Sequence, residues 1–263
     1  SSDLFLISAL DMAGWDLFGK IRRLPLHKVW CTEINKLPVT DYTIGMDTKE
    51  KMLLKVQSHP APIYKIKVGG KQDLEILQAI VAATNALIRV DANAGWNYQQ
   101  AVELLPELEK FGVEIIEQPL PTDQWEEMAE LKRQSKIPLI ADESCVFQKD
   151  IDPCINAFDG INIKLTKASG ITPALEMIKI ARKNNMKVML GCMNESTLGT
   201  SAIVHLSPLV DYLDADGPLL LQDDLASGLI MKNHTWQMPA GPGLGIRSEE
   251  HTSELQSRVD ISY

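Results

Sequence analysis

The sequence lacks the features that mark several large classes of protein. No apolar run approaches the ~18 residues that a membrane-spanning helix needs, so a membrane protein is not indicated. No C-x-x-C pair occurs among the four cysteines, Cys31, Cys145, Cys154 and Cys192. That spacing argues against a zinc or disulfide framework and favours free thiols in a reducing, cytoplasmic compartment. No G-x-G-x-x-G or P-loop motif follows a predicted strand, which disfavours a nucleotide-binding sheet.

Basic residues are too few and too scattered to predict binding to nucleic acid. The chain has 26 Lys and Arg against 35 Asp and Glu, a formal charge of −9, and no basic stripe. Its 263 residues, of which 45% are hydrophobic and 23% charged, suit one large α/β barrel or two small domains. The chain opens on Ser1 with no initiator Met and no signal peptide, which leads us to expect a fragment of a longer protein.

Eight segments have the pattern of buried parallel strands, near residues 38, 64, 89, 115, 140, 162, 189 and 213. They recur about every 25 residues, nearly all with a helical pattern between them. Alternating units of this number predict a closed (β/α) barrel rather than an open doubly wound sheet. The first strand is expected within residues 37–44. The helix over residues 97–111 is expected to break at Pro106, which would begin a second helical piece.

Three consecutive strands of this predicted barrel end in a carboxylate. Asp91 closes the first of them, Glu117 the second and Asp142 the third. In a (β/α) barrel the carboxyl ends of the strands meet at one mouth. A single Asp at a strand end is commonplace, but three in register are harder to dismiss. Because carboxylate oxygens are the ligands that Mg²⁺ prefers, the sequence predicts a magnesium site at this mouth.

Lysines on two further strands point toward the same mouth. Lys65 and Lys67 are two residues apart on the second strand, so they share a face. Lys164 lies on the sixth strand, opposite the second in a ring of eight. Solvated lysines on an edge strand are the plainer interpretation, but a closed barrel has few exposed strand faces. A lysine near a divalent cation and a second ammonium has a lowered pKa, which suits it to act as a base.

This set of residues predicts proton transfer at the carbon next to a carboxylate. Mg²⁺ would bind the substrate carboxylate, and removal of the α-proton would give an enediolate that the metal and one lysine stabilise. One lysine would take the proton and the opposite one could return it on the other face. Two bases on opposite faces are what a racemase or an epimerase requires.

At this point the sequence resembles a known family. The barrel domain of the enolase superfamily, muconate lactonizing subgroup, is similar over residues 4–246, and its dipeptide epimerases of the L-Ala-D/L-Glu type are most similar. The motifs that carry the resemblance are Ala9-Leu-Asp-Met-Ala-Gly-Trp-Asp-Leu-Phe-Gly-Lys20, Lys65-Ile-Lys67, Asp91-Ala-Asn-Ala-Gly-Trp96, Glu117-Gln-Pro119, Ala141-Asp-Glu-Ser144 and Asn162-Ile-Lys164-Leu-Thr-Lys-Ala-Ser-Gly170. Together they are specific for the subgroup, whereas any one alone is not.

The resemblance implies a TIM-like, modified (β/α)7β barrel and a role for each predicted site residue. The three strand-end carboxylates would hold one Mg²⁺ per site. Lys67 and Lys164 would be the two acid/base groups, and Lys65 would hold the substrate carboxylate and help to neutralise the enediolate.

Residues at the end of the eighth strand indicate which class of substrate the protein binds. The strand ends in Asp214 and Asp216, which share a face because side chains alternate along a strand. They could pair with lysines structurally, or they could bind a substrate ammonium. The resemblance favours the second interpretation, because dipeptide epimerases hold the α-ammonium of their substrate with such a D-x-D pair. A small-molecule dipeptide is therefore the expected partner. N-acyl-amino-acid racemisation, o-succinylbenzoate synthesis, cycloisomerisation and a barrel without catalysis stay open, as does a homo-oligomer.

The chain divides into three expected parts. Residues 1–36 are a helix and linker, residues 37–246 the barrel, and residues 247–263 a polar tail that looks like a translated sequencing adapter rather than a native tail. The resemblance implies an N-terminal α+β capping domain over the barrel mouth, and we expect this sequence to begin after that domain. An open mouth would expose the enediolate to water, so we expect little or no turnover from the chain alone.

Overall fold

The centre of the molecule is an eight-stranded parallel sheet curled into a barrel. A computed structural model describes residues 2–30, 34 and 37–248, and its barrel strands follow one another in chain order. The strands are β1 (Tyr42–Ile44), β2 (Ile63–Lys67), β3 (Leu87–Asp91), β4 (Ile115–Glu117), β5 (Leu139–Ala141), β6 (Gly160–Lys164), β7 (Lys187–Gly191) and β8 (Tyr212–Leu213). The ring closes where Asp41 N–H donates to Leu213 C=O at 3.2 Å, so the predicted (β/α) barrel is confirmed.

Helices cover the outside of the barrel. They are α1 (Ser2–Arg22), α2 (Leu26–Val29), α3 (Lys49–Ser58), α4 (Asp73–Ala83), α5 (Tyr98–Lys110), α6 (Trp125–Gln134), α7 (Ile151–Ala157), α8 (Leu165–Ala168), α9 (Ile171–Lys183), α10 (Thr197–Leu206) and α11 (Gly217–Leu220). Two 3₁₀ turns, Gln148–Asp150 and Ser207–Leu209, join them. None of the described helices is long and apolar enough to cross a membrane.

One local prediction was wrong, and another holds over a shorter range. Helix α5 continues through Pro106 instead of breaking there. A proline inside a helix costs about 3 kcal/mol, but burial of Ala101, Leu105 and Leu108 against the barrel offsets it. An Asn97 capping box also holds the start of this helix. The first strand lies at the end of its predicted segment, because the residues before β1 make only an isolated bridge from Thr40 to β8.

Four short strands lie after the barrel. They are β9 (Ala226–Ser227), β10 (Met231–Lys232), β11 (Thr235–Trp236) and β12 (Arg247–Ser248). Strand β12 pairs with β9, so the first two residues of the predicted non-native tail contact the rest of the chain. Residues 249–263, which make up the rest of that tail, lie outside the described residues, as does Cys31. Cys145, Cys154 and Cys192 are free thiols, as predicted.

The barrel interior is layered. At one level Ile115, Ile140 and Met189 form a small, fully buried apolar cluster inside the ring. Arg89 of β3 is also buried, and its guanidinium lies 2.8 Å from the Asp41 carboxylate. The polar residues at the carboxyl ends of the strands form the next level, where they are supported from below by a packed core.

A pair of buried histidines joins helix α2 to helix α10. The rings of His27 and His205 stack with their centroids 5.3 Å apart, and their Nδ1 atoms lie 3.1 Å from each other. The Nε2 atom of His205 lies 3.1 Å from Leu244 C=O. Burial lowers the pKa of His205 to about 4, with a smaller contribution from His27, although the contact with Leu244 opposes this.

We expect the contribution of His205 to the free energy of unfolding to fall as the pH is lowered from about 6.5 to about 4. In this window the unfolded chain takes up a proton on His205 near the ordinary pKa of 6.5, whereas the folded chain does not. The contribution is fully present above pH 6.5 and amounts to roughly 3 kcal/mol, at about 1.4 kcal/mol per pKa unit. Urea unfolding at several pH values measures it.

The matched comparison uses His205→Gln and His59→Gln. The first removes the buried titrating group and should flatten the dependence on pH between 6.5 and 4. The second removes an exposed histidine and should keep the wild-type slope. An unchanged slope in His205→Gln would show that other groups govern the acid stability.

Candidate active site

The three predicted carboxylates lie side by side at the carboxyl ends of β3, β4 and β5. Asp91 pairs in register with Glu117, and Asp142 directly follows β5. All three are buried. This mouth of the barrel is where the parallel register brings consecutive strand ends together, as the sequence indicated.

Lys65 lies at the centre of this group. Its ammonium is 3.1 Å from Asp91 Oδ2, 2.8 Å from Glu117 Oε2 and 2.8 Å from Asp214 Oδ2, and its side chain is 3% exposed. Burial acts to lower the pKa of Lys65, but Asp214, Glu117 and Asp91 outweigh it and raise the pKa well above its usual range. Lys65 is therefore a fixed positive charge that joins three strands.

Lys67 and Lys164 face the mouth from opposite sides of the ring. Lys67 Nζ lies 3.0 Å from Asp91 Oδ2 and 2.6 Å from Asn93 Oδ1. Lys164 Nζ lies 2.6 Å from Asp142 Oδ2. Both lysines line one cavity of about 280 Å³. Two ammonium groups thus reach one cavity from β2 and β6, which are separated by three strands in the ring.

The charges of the site depend on these ion pairs. Burial raises the pKa of Glu117 to about 7, and Asp91 and Asp142 add to this against the opposing effect of Lys65. Burial would also raise the pKa of Asp91, but Lys65 and Lys67 lower it to about 2. For Lys164, burial acts to lower the pKa, yet Asp142 and Glu117 outweigh it and raise it. The sequence argument predicted a lowered lysine pKa because it assumed a divalent cation bound to the carboxylates. Without that cation the carboxylates raise the pKa of Lys164 instead.

A divalent cation fits the chemistry of this donor set. Glu117 Oε2 is buried, and its partner among the described residues is the Lys65 ammonium, 2.8 Å away. The partners of Asp91 and Asp142 are mainly ammonium groups. The three carboxylates do not form a cluster with ligand atoms within 4.8 Å of one another; among the described residues only Cys192, Asp214 and Asp216 do so.

Asp214 and Asp216 enter the cavity from the end of β8. Asp214 Oδ2 accepts from Lys65, and Asp216 Oδ2 accepts from the backbone N–H of Thr43 at 2.7 Å. Burial raises the pKa of Asp216 to about 6, and the neighbouring Asp214 adds to this. The structure thus brings both members of the D-x-D pair to the cavity that Lys67 and Lys164 line.

Gln118 is a residue whose role the sequence did not reveal. It is fully buried, and its Oε1 accepts from the backbone N–H groups of Asp142 and Ser144 at 3.0 and 3.1 Å. Its φ of 36° is rare for a residue with a side chain, so the surrounding contacts must hold it. Gln118 therefore ties the end of β4 to the loop after β5. Its place in the Glu117-Gln-Pro119 motif was the available signal.

Two further residues hold the predicted metal ligands. Lys167 Nζ lies 2.9 Å from Asp142 Oδ1, so both oxygens of this carboxylate face ammonium groups. Asn162 Nδ2 donates to Glu117 Oε1 at 2.8 Å. Both residues occur in the motif around Lys164. Their contacts reach carboxylates of other βα units, so the spacing of residues in the sequence does not predict them.

Two acidic residues of the motif over residues 9–20 have structural contacts. Asp11 accepts hydrogen bonds from the backbone N–H and the hydroxyl of Thr172, and so joins α1 to α9. Asp16 accepts from Leu244 N–H at 2.8 Å and pairs with Lys20. Both lie outside the cavity, as expected for residues that fasten helix α1.

Known proteins resemble the chain in sequence and in fold. The L-Ala-D/L-amino acid epimerase of Flavobacterium johnsoniae is 45% identical over 232 residues, which are 88% of this chain and 69% of that protein. The L-Ala-D/L-Glu epimerase of Bacteroides thetaiotaomicron is 37% identical over 91% of this chain and 63% of its own length. The chain thus spans about two thirds of these relatives.

A solved structure has the same fold. The dipeptide epimerase of Cytophaga hutchinsonii, crystallised with Mg and the dipeptide D-Ala-L-Val, superposes with a TM-score of 0.88 at 32% identity. The match covers 93% of this chain and 70% of that one. Residues 49–252 match the family model described as enolase C-terminal domain-like. The chain belongs to this enolase C-terminal domain-like family.

Proposed function

We propose that the protein is a Mg²⁺-dependent dipeptide epimerase, an isomerase that transfers a proton at the carbon next to a carboxylate. The observation that carries the proposal is the pair Lys67 and Lys164, which face one cavity from opposite strands, with Asp214 and Asp216 at its edge. The relatives named above as epimerases support it. Because the chain spans only part of those relatives, the activity of the whole protein is part of the proposal.

Asp91, Glu117 and Asp142 are the residues that would hold one Mg²⁺. Buried carboxylates carry a cost that a cation relieves, and at Glu117 Oε2 the Lys65 ammonium, 2.8 Å away, now supplies that positive charge. When bound, the ion would act as a Lewis acid toward the substrate carboxylate and would stabilise negative charge that develops there. A cation here would also weaken the attraction that raises the pKa of Lys164.

Lys67 and Lys164 would perform the proton transfer. One amine removes the α-proton from one face of the substrate carbon, and the ammonium opposite delivers a proton to the other face, so the configuration inverts. Lys65 remains protonated and supplies positive charge to the enediolate. Its three carboxylate partners hold it in place, so it needs no rearrangement during the reaction.

Asp214 and Asp216 would bind the α-ammonium of the dipeptide. Each has one oxygen fixed, by Lys65 and by Thr43 N–H respectively, and its other oxygen, which faces the Cys192 thiol, would accept from a substrate. Buried carboxylates that gain a cationic partner bind it more strongly than exposed ones do. This feature favours a dipeptide over the substrates of cycloisomerases and o-succinylbenzoate synthases, which have no ammonium.

The function is tested by following α-proton exchange in deuterated water by NMR. L-Ala-L-Glu and a panel of other dipeptides would be incubated with Mg²⁺ and the protein fused to the N-terminal domain of an epimerase relative, with N-acyl amino acids as the alternative class. Exchange together with the epimeric dipeptide supports the proposal. Exchange on N-acyl amino acids alone would replace it with a racemase, and no exchange on any substrate would favour a barrel without catalysis.

Asp216→Asn should separate these substrate classes. The substitution keeps the shape and the contact with Thr43 but removes the charge that faces an ammonium. We expect kcat/KM for dipeptides to fall by roughly 30-fold or more, the cost of truncating one partner of a buried charge pair. Any residual activity on an N-acyl amino acid should change much less. Equal losses on both classes would contradict ammonium binding by Asp216.

We also propose that this chain alone turns over slowly. The Lys67 side chain is 33% exposed, so water reaches one of the two proton-transfer groups. Water weakens every electrostatic interaction in an active site. Fusing the N-terminal domain of an epimerase relative should raise the rate, whereas equal rates with and without it would contradict this.

A further inference from the structure

A thiol lies between the two aspartates at the end of β8. Cys192 follows β7, and its Sγ is 3.6 Å from Asp216 Oδ1 and 3.9 Å from Asp214 Oδ1. The ligand atoms of these three residues all lie within 4.8 Å of one another. All three side chains line the 280 Å³ cavity, so a small ion can reach them.

In Asp214 and Asp216, the carboxylate oxygen that does not face the thiol already has a hydrogen-bond donor. Lys65 Nζ binds Asp214 Oδ2 at 2.8 Å, and the Thr43 N–H binds Asp216 Oδ2 at 2.7 Å. Each carboxylate is thereby oriented with its remaining oxygen toward Cys192. Hydrogen bonds of this kind from outside the ligand set are a regular feature of metal sites, where they orient the ligands before the ion arrives.

The separations suit a tetrahedral ion. With Zn–S of about 2.3 Å and Zn–O of about 2.1 Å, the tetrahedral angle places sulfur and oxygen about 3.6 Å apart. The observed separations of 3.6 and 3.9 Å are close to this value. One sulfur and two oxygens would leave the fourth position open toward the cavity.

A further buried carboxyl group, that of Asp41, lies beside the cluster, and burial and Asp214 raise its pKa well above the usual range. Asp41 is 1% exposed and meets Asp214 carboxyl to carboxyl, and its Oδ1 has no donor among the described residues. The cations near these groups, Lys65 and Arg89, are shared with other carboxylates.

We propose that Cys192, Asp214 and Asp216 form a second metal site, selective for a thiophilic divalent cation such as Zn²⁺ over Mg²⁺. On binding, the S–H bond breaks, its proton passes to solvent and a Zn–S bond forms, with no change in oxidation state. The thiolate supplies the selectivity, because Mg²⁺ prefers oxygen ligands. Zinc binding itself does not depend on the proposed function.

The consequence for activity rests on the proposed function. If Asp214 and Asp216 hold the dipeptide ammonium, Zn²⁺ and the dipeptide require the same two carboxylates. Zinc would then inhibit epimerisation in competition with the dipeptide, even when Mg²⁺ saturates the first site.

The binding test uses Co²⁺ as a spectroscopic probe, in excess Mg²⁺ so that the first site is filled. A cobalt–thiolate bond gives a charge-transfer band in the near ultraviolet, and Zn²⁺ should abolish the band by displacement. We expect the band in the wild type and in Cys154→Ser, a matched change at a buried cysteine outside the cavity. Cys192→Ser should lose it, and its Zn²⁺ affinity by calorimetry should fall at least 10-fold.

Two results would overturn the proposal. One is a wild-type protein without the band, and the other is a Cys192→Ser variant that binds Zn²⁺ as tightly as the wild type. The band could be present while Zn²⁺ does not compete with a dipeptide. That result would support the metal site but contradict binding of the substrate ammonium by Asp214 and Asp216. Circular dichroism of each variant shows whether it is folded.

Discussion

Lys67→Ala and Lys164→Ala should each abolish epimerisation of a dipeptide, with losses on the order of 10²–10⁴-fold or more. The two lysines face the cavity from opposite strands, so each serves one face of the substrate carbon. With either amine removed, no group remains on that face to take or deliver a proton. Polarimetry or NMR on the separated epimers measures the loss.

The two variants should differ in which epimer they still exchange. A variant that keeps one lysine can still remove the α-proton that faces it and return deuterium to the same side. We therefore expect solvent exchange without inversion for one epimer in Lys67→Ala and for the other in Lys164→Ala. This complementary pattern distinguishes two opposed bases from one base with a supporting lysine.

Lys110→Ala serves as the control, because this exposed lysine pairs only with Glu107 on helix α5. It should match the wild type in rate and in exchange. Loss of exchange for both epimers in each active-site variant would contradict separate roles for the two lysines.

Lys65→Met should lower the free energy of unfolding by roughly 3–5 kcal/mol, the effect of removing one partner from a buried ion pair. The Lys65 ammonium lies within 3.1 Å of three buried carboxylates, and methionine leaves them without this cation. Urea unfolding in the absence of divalent ions gives the size of the loss.

Magnesium should restore part of that stability. An ion bound by the folded state alone stabilises it by an amount that grows with the logarithm of its affinity, and the affinity should rise once the repelling ammonium is gone. The gain on adding Mg²⁺ is therefore expected to be larger in Lys65→Met than in the wild type. A loss of stability that Mg²⁺ does not change would indicate a packing role alone.

Lys136→Met is the matched surface change. Its ammonium lies 3.1 Å from Glu109, but the side chain is 84% exposed, so the pair is screened by water. We expect a change within about 1 kcal/mol and no added response to Mg²⁺. A loss as large as that of Lys65→Met would show that burial is not the cause of the difference.

Some of the site followed from local rules of chain geometry. The period of two along a strand places Lys65 and Lys67 on one face. Asp214 and Asp216 lie beyond the end of β8, so this rule did not place them, contrary to the sequence argument. The meeting of parallel strand ends at one mouth brings Asp91 and Glu117 together. These rules act over a few residues or one βα repeat. The sequence was therefore sufficient to predict the barrel and to predict that its charged groups lie near one another.

Helix boundaries were less predictable, because they depend on what packs outside the helix. Pro106 interrupts the hydrogen bonding of α5, and its local preference is to end or kink a helix. The apolar face of α5 against the barrel decides the outcome. A sequence window contains the proline but not the surface that the helix covers.

The sequence by itself determined the fold, the strand that carries each charged residue and the family to which the chain is similar. The tertiary structure decided which charges meet: Lys65 reaches Asp214, 149 positions away, and Cys192 lies between the carboxylates of Asp214 and Asp216. Periodicity is a property of neighbouring residues, whereas these contacts depend on the register and curvature of the whole closed sheet. For that reason spacing predicted the members of the site, and only the folded barrel showed how they hold one another.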